Sequence, residues 1–75
     1  MMQSFSEWVE SVGGTAKAAK VLSCPIKTVA SWASLTRHPG IRNIQHIEDT
    51  LGVGVIDFEG WRTRYLKKNN DHPNA

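Results

Sequence analysis

Between Gly14 and Trp32 the apolar residues Ala18, Ala19, Leu22, Cys24, Val29 and Trp32 fall 1, 3, 2, 5 and 3 positions apart, a spacing that one uninterrupted helix does not produce. Ala18 and Leu22 share one face of a helix beginning near Thr15, whereas Val29 and Trp32 share a face of a second helix beginning near Pro25. The phase changes at Ser23 and Cys24. Thr15 suits an N-cap, and Pro25 suits a first turn, where its missing donor costs nothing. The pattern therefore predicts two short helices, Thr15 to Leu22 and Pro25 to Leu35, joined by a tight corner.

The rest of the chain reads as helix as well. Ser4 and Glu7 have capping-box spacing, and Phe5, Trp8, Val9 and Val12 recur with helical period until Gly13-Gly14, which predicts a helix over Ser4 to Val12. Thr36 to Gly40 reads as a loop. Ile44, Ile47 and Leu51 stand at i, i+3 and i+7 before Gly52, predicting a helix over Ile41 to Leu51. Val53, Val55 and Phe58 suit a strand, but Phe58, Trp61, Arg62, Tyr65 and Leu66 keep helical period behind Asp57 as a cap. The helix is preferred, although Gly60 within it costs about 1 kcal/mol relative to Ala. Trp8 and Trp61 are expected in the core. The expected fold is all-α, with about five short helices in one domain over residues 1–68 and a disordered tail over 69–75.

The stretch from 14 to 34 resembles the helix-turn-helix of small phage regulators of the Cro and repressor kind. Ala19 matches the small residue where the two helices touch, Val29 the β-branched residue ten positions on, and Trp32 the apolar residue after it. Ser23 departs from the pattern: the family prefers Gly there because the corner residue tends to positive φ, which costs a residue with a Cβ about 1 kcal/mol. The resemblance implies a sequence-specific regulator that binds double-stranded DNA as a homodimer and represses transcription from a palindromic operator. An activator, a recombination directionality factor, an autoregulating antitoxin and a helical protein-interaction module are the alternatives.

With Val29 and Trp32 inward, the opposite face of the second helix carries Ile26, Lys27, Ala30, Ser31 and Ser34, with Pro25 at its entrance. These six are the positions that the resemblance assigns to base reading. Lys27 can donate to guanine O6 or N7, Ser31 and Ser34 can bond either kind of base edge, and Ile26 and Ala30 can pack on thymine methyl groups. The face holds no Arg, Asn or Gln, so bidentate readout is absent from it, and specificity must lean on apolar contact, shape and Arg37 from the next loop. Thr15, Lys17, Thr28, Arg37, His38 and Arg42 are the expected contacts to the DNA backbone.

Charge sharpens this reading. The formal net charge is only +2, but no acidic residue occurs between Glu10 and Glu48, a window that holds Lys17, Lys20, Lys27, Arg37 and Arg42 together with His38 and His46. Arg62, Arg64, Lys67 and Lys68 form a second basic group, which would let a phosphate-facing surface extend beyond the two helices. A domain of 75 residues has little room for a substrate cavity and a catalytic set, so no enzyme, catalytic residue, cofactor or small-molecule substrate is expected. Cys24 continues the apolar pattern as a small buried hydrophobe, and its spacing from His38, His46 and His72 is not that of a metal site. No run of about 18 apolar residues and no signal-peptide pattern occurs, and a single cysteine fits a reducing compartment. The expected location is the cytoplasm of a bacterial or phage-infected cell.

Overall fold

The computed structural model describes residues 2–70, which form five helices in an all-α arrangement. They are α1 (Phe5–Ser11), α2 (Thr15–Leu22), α3 (Ile26–Ala33), α4 (Ile41–Leu51) and α5 (Phe58–Asn70). α2 sits in the middle and packs on α1, α3 and α4. The hydrophobic core is Phe5, Trp8 and Val9 of α1, Ala18, Ala19 and Leu22 of α2, Val29 and Trp32 of α3, Ile47 of α4, Ile56, and Trp61 of α5. The two-helix phase read between Gly14 and Trp32 is thus the phase of the core. Aromatic rings organise one half of it: Phe5 stacks on Trp61 at 4.4 Å and 9°. Trp32 meets both edge-on, at 6.1 Å and 6.3 Å. Such pairs each contribute about 0.5–1.5 kcal/mol beyond the area they bury.

Local signals set the helix ends. The capping box is formed, with the Glu7 N–H donating to Ser4 Oγ at 3.1 Å and the Ser4 N–H donating to Glu7 Oε1 at 2.9 Å. At α5 the Asp57 Oδ1 accepts the Gly60 N–H at 3.0 Å. A Cβ on Gly60 would lie 2.3 Å from Asp57 Oδ2, so this mid-helix glycine leaves room for the cap. The strand alternative for 53–58 reduces to one parallel bridge between Gln3 and Ile56.

The first three helices end alike. Gly13, Ser23 and Leu35 take φ of 106°, 54° and 63°. Each donates its N–H three residues back, to Glu10, Lys20 and Trp32, while the following residue donates five back, Gly14 to Val9, Cys24 to Ala19 and Thr36 to Ser31. These paired bonds are the Schellman closure, which satisfies the last carbonyls of a helix and turns the chain sharply. The corner between α2 and α3 is one of the three. Ser23 therefore adopts the left-handed conformation for which glycine is preferred, and it does so without one.

Several expectations need correction. Thr15 is not the N-cap of α2: Gly14 holds that position with no side-chain hydrogen bond, and Thr15 is the first helical residue. Pro25 stands one residue ahead of the first turn of α3, its extended backbone presenting a carbonyl to the N–H groups of Thr28 and Val29. α3 stops at Ala33 rather than Leu35, because Leu35 adopts positive φ. Cys24 is half-buried, packed at the edge of the core with its thiol donating to the Leu22 carbonyl at 3.4 Å. α5 runs through Asn69 and Asn70, the first two residues of the expected tail; 71–75 lie outside the described residues.

Candidate nucleic-acid interface

α3 buries Val29 and Trp32 and turns its other side outward. Pro25, Ile26, Lys27, Ala30 and Ser34 are exposed and Ser31 is half-buried, so all six expected base-reading positions reach the surface. Ile26, an apolar side chain at the start of α3, is 55% exposed. Lys27, Thr28, Ser31 and Arg37 line one shallow hollow. Arg37 is brought there by the end of α3: its N–H and that of Thr36 both donate to the Ser31 carbonyl, at 3.2 and 3.0 Å. The chain therefore folds back over Ser31, and a loop cation joins the helix face. Ser34 is less free than a helical-wheel reading implies. It is the C-cap, and its hydroxyl bonds the Ser31 carbonyl at 3.3 Å and the Thr36 hydroxyl at 2.9 Å.

The expected backbone contacts divide into two groups. Lys17, Arg37 and Arg42 are exposed, and Thr15 and Thr28 are half-buried. The Lys17 stem crosses Gly13 so closely that a Cβ there would meet its Cδ at 2.8 Å. His38 behaves differently. Its ring packs 5.5 Å from Trp61 and 5.4 Å from Tyr65, and its Nε2 is buried with no hydrogen-bond partner. The imidazole meets Trp61 edge-on and Tyr65 at a tilt, so His38 packs the loop against α5.

The N-termini hold a feature that residue-by-residue matching missed. α2, α3 and α4 all begin without a side-chain cap and with no acidic residue in the first turn. Each instead places a cation there: Lys17 third in α2, Lys27 second in α3 and Arg42 second in α4. A helix N-terminus carries a partial positive charge and unpaired N–H donors, so a first-turn cation costs about 0.3–1 kcal/mol. By contrast, α1 and α5 have Glu7 and Glu59 in their first turns and carboxylate or hydroxyl caps. The unfavourable arrangement is confined to the helices that carry the expected contacts, and an external anion would relieve it. The glycines before α2 and α4 made part of this visible in the sequence, since Gly14 and Gly40 have no side chain to cap with.

α4 is tied to the corner through His46, whose Nε2 lies 2.6 Å from the Leu22 carbonyl at the end of α2. No group of three or more His, Cys, Asp and Glu side chains able to hold a metal ion occurs among the described residues. None of their helices is long and apolar enough to cross a membrane. No protein-family model, curated protein or solved structure matches the chain.

Proposed function

We propose that this protein is a sequence-specific, double-stranded-DNA-binding transcription regulator of the phage Cro and repressor kind, with α3 read into the major groove of a palindromic operator. The observation that carries the proposal is the run of three helices, α2, α3 and α4, whose uncapped N-termini each hold a first-turn cation and no acid. Phosphates satisfy such N–H groups and reverse the unfavourable charge. The outward α3 face, with Ile26, Lys27 and Ala30 exposed and Arg37 beside Ser31, supplies the apolar and donor groups that meet base edges. Lys17, Arg37 and Arg42 position the protein on the backbone, and Ile26, Lys27, Ala30 and Ser31 choose the sequence.

One recognition helix reads only a few base pairs, so the proposed unit is a homodimer on half-sites about 34–36 Å apart. Occupancy of such a site blocks a promoter, which makes repression the proposed outcome. Selection of bound sites from random duplex DNA, followed by footprinting, tests the reading as a whole. The expected result is a short symmetric consensus, protected in two patches one helical turn apart. Lys27→Ala should weaken binding to that site by about 1–3 kcal/mol while the fold persists. Recovery of no sequence above background, or equal binding by Lys27→Ala across site variants, would reject α3 as the reader.

A further inference from the structure

We propose that the C-terminal turn of α5 is a second phosphate-contacting element, with Lys68 as its contact, seated on the DNA backbone that flanks the exit of α3. The proposal rests on the DNA-binding reading above. Lys68 Nζ donates to the Ser34 carbonyl at 2.5 Å, and Asn69 Nδ2 donates to the Leu35 carbonyl at 3.3 Å. Tyr65, one turn earlier, lies against His38. Trp61, Tyr65, Lys68 and Asn69 therefore form one stripe of α5 that runs along the end of α3 and the loop bearing Arg37.

Two physical points make this junction a place for phosphate. The carbonyls at the end of α3 form the negative pole of that helix and would repel a backbone phosphate brought close to them; the Lys68 ammonium sits on that pole and offsets it. An ammonium has three donors, and Ser34 takes one, which leaves donors for phosphate oxygens. Position agrees with charge. From Lys27 to Ser34 the rise is about 10 Å at 1.5 Å per residue, close to the major-groove width of about 12 Å. A helix that turns Lys27 toward the bases thus carries Ser34, and the ammonium bound to it, toward a groove wall.

Arg64, one turn before Lys68, and Lys67, beside it in sequence, are its neighbouring cations. Arg64 lines a cleft with Ser4 and Ser6 on one side and Ala33 and Leu35 on the other. Lys67 lies about 100° around the helix from Lys68. It is exposed and serves as the control.

The test is fluorescence anisotropy of the full chain on a random-sequence duplex between about 50 and 200 mM salt, where each lost phosphate contact lowers the slope of log K against log salt by about 0.9. Lys68→Gln should lower the slope by about that amount, Lys68→Arg should keep it, and Lys67→Gln should lower it by less than half as much. The sequence selected by Lys68→Gln should stay that of the unmodified protein, because phosphates carry no sequence information. Circular dichroism melts show that each variant is folded. An unchanged slope for Lys68→Gln, or an equal fall for Lys67→Gln, overturns the α5 contact while leaving α3 standing. Absence of any salt-dependent binding by the unmodified protein sinks the DNA reading itself, and the α5 contact with it.

Discussion

Replacing Lys27 with Glu should make the domain more stable and abolish its binding to DNA. Lys27 is the second residue of α3, exposed, at a helix start that has no side-chain cap and no acidic neighbour in its first turn. Its charge opposes the helix dipole by about 0.3–1 kcal/mol, and a carboxylate at the same position gains a similar amount, so the reversal contributes about 0.6–2 kcal/mol to folding. For a domain of this size, 1 kcal/mol moves Tm by about 4–8 °C, which places the expected rise at several degrees. Thermal melts at low and at about 1 M salt form the assay, because a Debye length of about 3 Å at the higher salt should remove most of the gain. Anisotropy with a duplex should show loss of binding in the same variant. A Tm that falls, or a rise that persists at high salt, would refute the electrostatic account of the α3 start. Retained duplex binding would refute its link to function.

Three further outcomes test the fold. Ser23→Gly should stabilise by about 0.5–1 kcal/mol, since exposed Ser23 holds φ of 54° at the corner, whereas Leu35→Gly should destabilise despite φ of 63° because half-buried Leu35 packs on the core; urea denaturation of both gives the sign. Val29→Ala should cost about 1–3 kcal/mol and Trp32→Ala about 3–5, because both side chains are buried, and a melt unchanged from the parent would mean that the α3 phase is wrong. The Glu7 carboxyl is held below its usual range, first by the Ser4 N–H, then by the Ser4 hydroxyl, with Arg64 adding a smaller effect against some desolvation. A depressed carboxylate contributes stability above its unfolded value of about 4.3 and loses it as pH falls through the folded value. Stability should therefore decline on acidification below that point, and Glu7→Gln should flatten that part of the pH profile.

The sequence carried the repeating features well. Periodicity placed α2 and α4 at their observed bounds and put Trp8 and Trp61 in the core, because apolar spacing on a helix reports directly which face is buried. Capping chemistry was equally readable at Ser4 and Asp57, where residues three apart bond each other. Long-range or conformational features were not readable. Nothing in a leucine announces positive φ, so the early end of α3 at Leu35 was hidden. The packing of His38 on the α5 aromatics depends on residues more than twenty positions apart. The grip of Lys68 on Ser34 spans thirty-four positions, and no local pattern encodes it. Within the candidate site, the outward residues of α3 were identifiable from the helical wheel alone. The link of Arg37 to Ser31 needed the closure at the end of α3 to be seen.

The most direct test of the central claim is a residue-resolved NMR titration of the protein with a duplex carrying its selected site. Amide shifts should change most at Ile26, Lys27, Ala30 and Ser31 on the α3 face, at Arg37, and at the first turns of α2 and α4, with the buried core residues Ile47 and Ile56 little affected. Perturbations concentrated instead at the exposed Val53 turn or along the Glu59 and Thr63 face of α5, with α3 unmoved, would contradict the account.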